Sequence, residues 1–147
     1  MARSAAISHR AASMFTSDHG AAMLRRRCWL RNLCIVANSL NDGNCAGTMI
    51  SNGYNLSSDG TCVFFSNHGD QNNVDPKLGT LGPYGGPTQT IPLLYQSPAI
   101  DAGNPSGCTD SQGHLLKTDQ RGQPRPNTED IKDKRGCDIG AYETQGN

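Results

Sequence analysis

Four acidic side chains in the last third of the chain, Asp101, Asp119, Asp138 and Glu143, are the residues whose type could support catalysis. Two carboxylates facing each other across a cleft, roughly 5 to 9.5 Å apart, are what glycoside hydrolysis requires. Their surroundings favour another use. Asp101 is followed by Ala102-Gly103 and Asp138 by Ile139-Gly140, so each opens a trio of acid, small or branched apolar residue and glycine. That trio reads as a short strand reaching a tight corner, where the carboxylate accepts backbone N–H groups and the glycine takes the positive φ of a reversing chain. The expected role of Asp101, Gly103, Asp119, Asp138, Gly140 and Glu143 is therefore structural, and no catalytic residue is assigned. Arg121 carries a fork that binds carboxylates bidentately, and it is expected to clamp Asp101 to Asp138.

Oxygen ligands also cluster at Asp70-Gln71-Asn72-Asn73-Val74-Asp75, where Asp70, Asn72 and Asp75 are the candidates for calcium. The run breaks the EF-hand pattern at Val74 and lacks the glycine expected next, so an Asx-rich turn is the expected use. No metal or cofactor is assigned. His68 and His114 read as solvated loop residues, and Asn55-Leu56-Ser57 has the form of a glycosylation sequon.

The elements that must position these side chains are short. The 147 residues suffice for one domain with a core, but only 35% are hydrophobic and 5% aromatic, while glycine reaches 17 and proline 8. Much of the chain must be turns, which argues against a helical bundle. Net charge is zero, yet it is unevenly spread: residues 1–31 hold six arginines (Arg3, Arg10, Arg25, Arg26, Arg27 and Arg31) against the single acid Asp18. Residues 1–29 read as a separate leader, poorly ordered or a product of where translation was taken to start. The arginine cluster follows the apolar residues instead of preceding them, the wrong order for a secretory signal. Nucleic-acid binding is not expected, and no stretch approaches the ~20 apolar residues of a membrane span.

Six cysteines point to an oxidising compartment. Six allow fifteen pairings. Cys45, Cys62, Cys108 and Cys137 lie in polar, Gly-rich surroundings, and pairing neighbours, Cys45 with Cys62 and Cys108 with Cys137, would close each loop within one structural unit. A zinc site would prefer close ligand pairs of the Cys-Xaa-Xaa-Cys kind.

From Leu30 onward apolar bursts recur about every ten residues, each ended by Asn, Asp or Gly. Leu33 to Ala37 suits a strand buried on both faces, Thr48 to Ser51 a second, Tyr54 to Leu56 a third, and Thr61 to Phe65 a fourth. Residues 66–87 are expected to form a long surface excursion pinned by Leu78 and Leu81. Residues 88–94 return to the body, Leu115-Leu116 touch the core, and a charged loop from Pro124 to Arg135 leads to the closing segment. Both an antiparallel sandwich and a parallel solenoid fit this spacing, and Asn-rich corners after continuous apolar runs favour the solenoid.

Several segments together resemble the C-terminal region of bacterial surface proteins built on a right-handed parallel β-helix, the choice-of-anchor Q domain often found in CSLREA-domain proteins. They are Ile35 to Ser39, Gly53 to Cys62, Asp75 to Gly79, Gly85 to Thr90, Leu93-Leu94, Ser97 to Gly103, Thr118 to Gly122 and Cys137 to Glu143. The resemblance implies an all-β solenoid end-piece, with terminal coils and a C-terminal cap over 30–143 and a tail at 144–147. It also implies an extracellular or cell-surface location, membership of a longer β-helix chain and no established catalytic activity. Carbohydrate or surface proteins are the expected partners of its loops. Ile91-Pro92 departs from the usual polar pair before the Leu-Leu step, and the leader does not look like preceding coils. Polysaccharide lyases and pectin hydrolases share the β-helix, so a fragment of such an enzyme is the alternative reading.

Overall fold

The computed structural model describes residues 14–15, 28–30, 34–39, 43–45, 49–110, 112–126 and 136–145. Most of the expected leader, half of the turn at Asn41-Asp42-Gly43-Asn44, most of the charged loop to Arg135 and the end of the tail lie outside these residues. The described part contains no helix, and its strands are short.

Among the described residues five strands occur in chain order: β1 (Met14–Phe15), β2 (Cys28–Leu30), β3 (Ile35–Val36), β4 (Met49–Ser51) and β5 (Leu56–Ser57). They form two sheets, β1-β3-β5 and β2-β4, and every pairing is parallel. Met14 pairs with Ile35, Ile35 with Leu56, and Cys28 with Met49, so each step covers 21 residues. Parallel neighbours need a crossover of about a dozen residues or more, and the alternation of apolar burst and Asx-rich turn supplies one. A shorter step follows, in which Leu56 bridges Gln71 in parallel. β1 and two residues of β2 fall within the stretch read as a leader, and both strands are paired to the body.

β3 is buried on both faces, as an apolar β-branched run should be in a parallel arrangement. Ile35 packs with Ala37, Leu56, Leu93, Ala99, Cys108, Cys137 and Ile139 in one apolar cluster. Cys34 and Val36 face the other, with Cys45, Cys62 and Phe65. The register carries the first cluster upward, since Leu56 stacks on Ile35 and both are almost completely buried. Two disulfides tie the clusters to the loops: Cys45–Cys62 with Cα atoms 4.9 Å apart, and Cys108–Cys137 with Cα atoms 6.2 Å apart. These are the nearest-neighbour pairs.

Beyond residue 75 the pairing changes direction. Leu78 with Leu93, Gly82 with Thr90, Thr109 with Leu115 and Thr118 with Pro124 are all antiparallel. The described residues thus form a strand-containing, non-helical chain with parallel pairing up to Gln71 and antiparallel bridges beyond it, and not the continuous series of coils expected over 30–143. Gly82-Pro83 and Gly85-Gly86-Pro87 reverse the chain within the 83–89 loop, which is too short for a parallel crossover and closes a hairpin instead. The strand expected at Thr61 to Phe65 is a succession of turns. Phe65 N–H bonds to Cys62 O at 2.9 Å, and the side of the turn bearing Val63, 72% exposed, faces solvent. Of the two leucines expected to pin the excursion, Leu78 packs on the core but Leu81 is 46% exposed. Leu116 likewise reaches the core while Leu115 stays outside.

The closing segment ends the fold. Gly103 N–H donates to Cys137 O at 2.7 Å, Ile139 N–H to Ala99 O at 2.8 Å and Gln120 N–H to Ala141 O at 3.1 Å. These bonds draw the two Asp-Xaa-Gly corners and the Asp119 turn into one place.

Candidate functional site

That place is a buried knot of charge. Asp119 begins a tight turn in which its Oδ1 accepts the N–H groups of Arg121 at 2.8 Å and Gln123 at 3.0 Å. Its Oδ2 accepts Arg121 Nε at 2.8 Å and the N–H of Glu143 at 3.0 Å. Arg121 Nη2 completes the pair at 2.7 Å from Oδ2 and donates to the Glu143 carbonyl at 2.6 Å. The guanidinium lies 3.5 Å over the Tyr142 ring, which meets Tyr84 edge-on. A cation over an aromatic face in a desolvated setting adds to the ion pair.

The expected clamp from Arg121 to Asp101 and Asp138 is not the one formed. Two residues after Asp119 in the same turn, Arg121 spends its fork locally. Asp138 joins the corners directly: its Oδ1 accepts the Asp101 N–H at 2.9 Å and its Oδ2 the Thr144 N–H at 2.6 Å. The positive φ of the first corner, 56°, falls on Asp101, two residues ahead of the Gly103 that the sequence offers for it. At the second corner Gly140 takes it, with φ 116°.

Arg125 is the member that the sequence reading missed. It sat in what was read as a charged loop, yet it is buried, with Nε 2.8 Å from Glu143 Oε2 and Nη1 2.8 Å from the Gly140 carbonyl. Its Nη2 finds no acceptor among the described residues. Glu143 Oε2 also accepts the Asp138 N–H at 3.1 Å. Burial pushes the Asp138 carboxyl above its ordinary value of 3.8, while hydrogen bonds from Thr144 and Asp101 and the charge of Arg125 oppose the rise.

A second polar knot sits at the turn between β4 and β5. Asn55 is fully buried: its Oδ1 accepts the Cys34 N–H at 3.0 Å, and its Nδ2 donates to Ser51 Oγ at 2.9 Å and Gly53 O at 3.0 Å. One step on, Asp70 Oδ1 accepts the Asn55 N–H at 2.9 Å, and Asp70 Oδ2 accepts Ser51 Oγ at 2.6 Å and the Asn67 N–H at 3.0 Å. Asn55 and Asp70 thus each accept the N–H of the residue that the parallel register sets one step earlier. The sequon at Asn55 is sealed inside this knot. Around the next corner Asp59 accepts from Thr61 and from the Asn44 N–H, at 2.9 Å in each backbone bond.

The calcium candidates Asp70 and Asp75 are bonded within turns, and Asn72 is bonded through its nitrogen while its Oδ1 has no partner among the described residues. Asp70 is used as above, Asp75 Oδ1 accepts the Lys77 N–H at 2.9 Å, and Asn72 turns its Nδ2 to the Cys62 carbonyl at 3.1 Å. Among the described residues no group of three or more His, Cys, Asp or Glu side chains converges as metal ligands would. His68 meets Tyr54 edge-on at 5.6 Å, and His114 Nδ1 lies 3.1 Å from Asp110 Oδ2.

Comparison with protein-family models, curated proteins and solved structures finds no match. Among the described residues no helix is long and apolar enough to cross a membrane. The arrangement itself sets what the carboxylates can do: fixed by main-chain donors and guanidinium groups in the interior, they hold segments together.

Proposed function

We propose that the chain is a non-catalytic structural or adhesive segment of an exported bacterial surface protein, forming terminal coils and cap of a right-handed parallel β-helix like the choice-of-anchor Q region it resembles. The observation that carries this reading is the placement of its carboxylates. Asp119, Asp138 and Glu143 are buried and bonded to protein donors. A glycosidase pair must face its substrate across an open cleft. The parallel pairing of the strands at a 21-residue step supports the coil reading for the first half, and the two disulfides support export into an oxidising compartment. Carbohydrate or another surface protein would meet the exposed loops, where Tyr84 and Tyr95 offer aromatic faces.

The test is to incubate the full-length protein with acidic and neutral polysaccharides. The reading predicts no new reducing ends and no unsaturated sugar products, and a loss of stability in Glu143→Gln. Turnover that Asp101→Asn or Asp119→Asn abolishes with the fold intact would contradict it.

A further inference from the structure

We propose that Asn52 is a self-modification site, a succinimide-forming asparagine held inactive by the hydrogen bond between the Gly53 N–H and the Ser51 hydroxyl. Asn52 is exposed just after β4. The residue behind it has φ 96°, and a Cβ there would collide with the His68 carbonyl oxygen, so the fold admits only glycine. Asparagine followed by glycine is the pairing in which the main-chain nitrogen is least shielded from the side-chain carbonyl carbon.

In the reaction the Gly53 nitrogen bonds to Asn52 Cγ, the Cγ–Nδ2 bond breaks, and ammonia leaves with the proton that the backbone nitrogen gives up. Water then adds to either carbonyl of the ring, leaving aspartate or isoaspartate. The folded chain restrains the first step. Gly53 N–H donates to Ser51 Oγ at 3.0 Å, and that hydroxyl is fixed because its own proton goes to Asp70 Oδ2 at 2.6 Å. The next peptide is pinned on both sides, Gly53 O by Asn55 Nδ2 at 3.0 Å and Tyr54 N–H by His68 O at 3.1 Å. The nitrogen therefore cannot swing toward Cγ while this corner is closed. Once the corner opens, isoaspartate adds a backbone carbon where the chain has no slack, and the opening becomes permanent.

The experiment holds the full-length, disulfide-bonded protein in mildly alkaline buffer and follows Asn52 by peptide mapping with isoaspartate detection. The same chain reduced and unfolded in urea is the reference, with folded Ser51→Ala and Asp70→Asn alongside. Native Asn52 is expected to react at least roughly tenfold more slowly than in the unfolded chain, because reaction must await local opening. Ser51→Ala should accelerate it roughly two- to tenfold, the factor that one hydrogen bond is worth, and Asp70→Asn by less. A native rate equal to the unfolded rate would overturn the proposal, as would a folded Ser51→Ala that reacts no faster than the parent. Should Ser51→Ala fail to fold, Asp70→Asn decides: acceleration supports the latch and an unchanged rate removes it.

Discussion

Asn55 shows how one side chain can hold two parallel segments in step. Its amide satisfies the Cys34 N–H on one side and Ser51 and Gly53 on the other, all out of contact with water. Removing it takes the Asn55 bond from the buried Cys34 N–H and from the Gly53 carbonyl. Asn55→Ala should therefore lower unfolding free energy by about 2 to 3 kcal/mol, read as a shift in urea midpoint at constant slope. The Arg125–Glu143 pair, completely out of solvent, makes a second case at this scale. Arg125→Met strands a buried carboxylate and should be destabilising by about 3 to 5 kcal/mol. Titration separates the two corners by sign. Asp138 has its folded value raised above 3.8, so its stabilising contribution is complete below 3.8 and declines as pH rises through the raised value. For Asp59 burial acts upward, but the Thr61 hydroxyl and the Thr61 and Asn44 N–H groups outweigh it and its value is lowered. Its contribution is present above 3.8 and is lost as pH falls through the lowered value. In chemical unfolding across acid to neutral pH, the gap between parent and Asp138→Asn should narrow as pH rises, and that for Asp59→Asn should widen.

At the scale of elements, β3 and β5 carry the core through a single stacked contact. Leu56→Ala removes the side chain packed on Ile35 and should reduce stability by about 2 to 5 kcal/mol, with the same urea measurement as the check. Cys45–Cys62 closes 17 residues, and selective removal by Cys45→Ser with Cys62→Ser should remove about 3 kcal/mol. The positions of β3, β4 and β5 were legible in the sequence because apolar bursts ended by Asx and Gly mark strands in either kind of β fold. Cysteine pairing was legible because both pairs join neighbours in the chain. The fourth strand was not, because Val63-Phe64-Phe65 has the composition of a strand and only the Cys62 tether shows that it must turn. The partner of Arg121 was hidden for a similar reason: sequence shows which carboxylates are available, but not that the Asp119 turn brings one of them back onto its own arginine. Arg125 could not be distinguished from neighbouring surface charges without knowing that Glu143 is buried above it.

For the molecule as a whole, two modes of pairing meet at one core. Parallel steps of 21 residues and one shorter step build the first half, antiparallel bridges follow in the second, and the segment 136–145 packs over Ile35, Leu56 and Ala99 through Ile139. The charged knot at Asp119, Arg121, Arg125, Asp138 and Glu143 fastens that segment, which is why its carboxylates are read as structural. The account stands on the parallel register beneath this segment. Scalar couplings across hydrogen bonds, measured by NMR on the full-length protein, test it directly. The register requires couplings from the Leu56 nitrogen to the Cys34 carbonyl, a bond of 2.8 Å, and from the Ser58 nitrogen to the Val36 carbonyl, a bond of 3.0 Å. Couplings that instead exchange both bonds between one pair of facing residues, the mark of antiparallel neighbours, would contradict it.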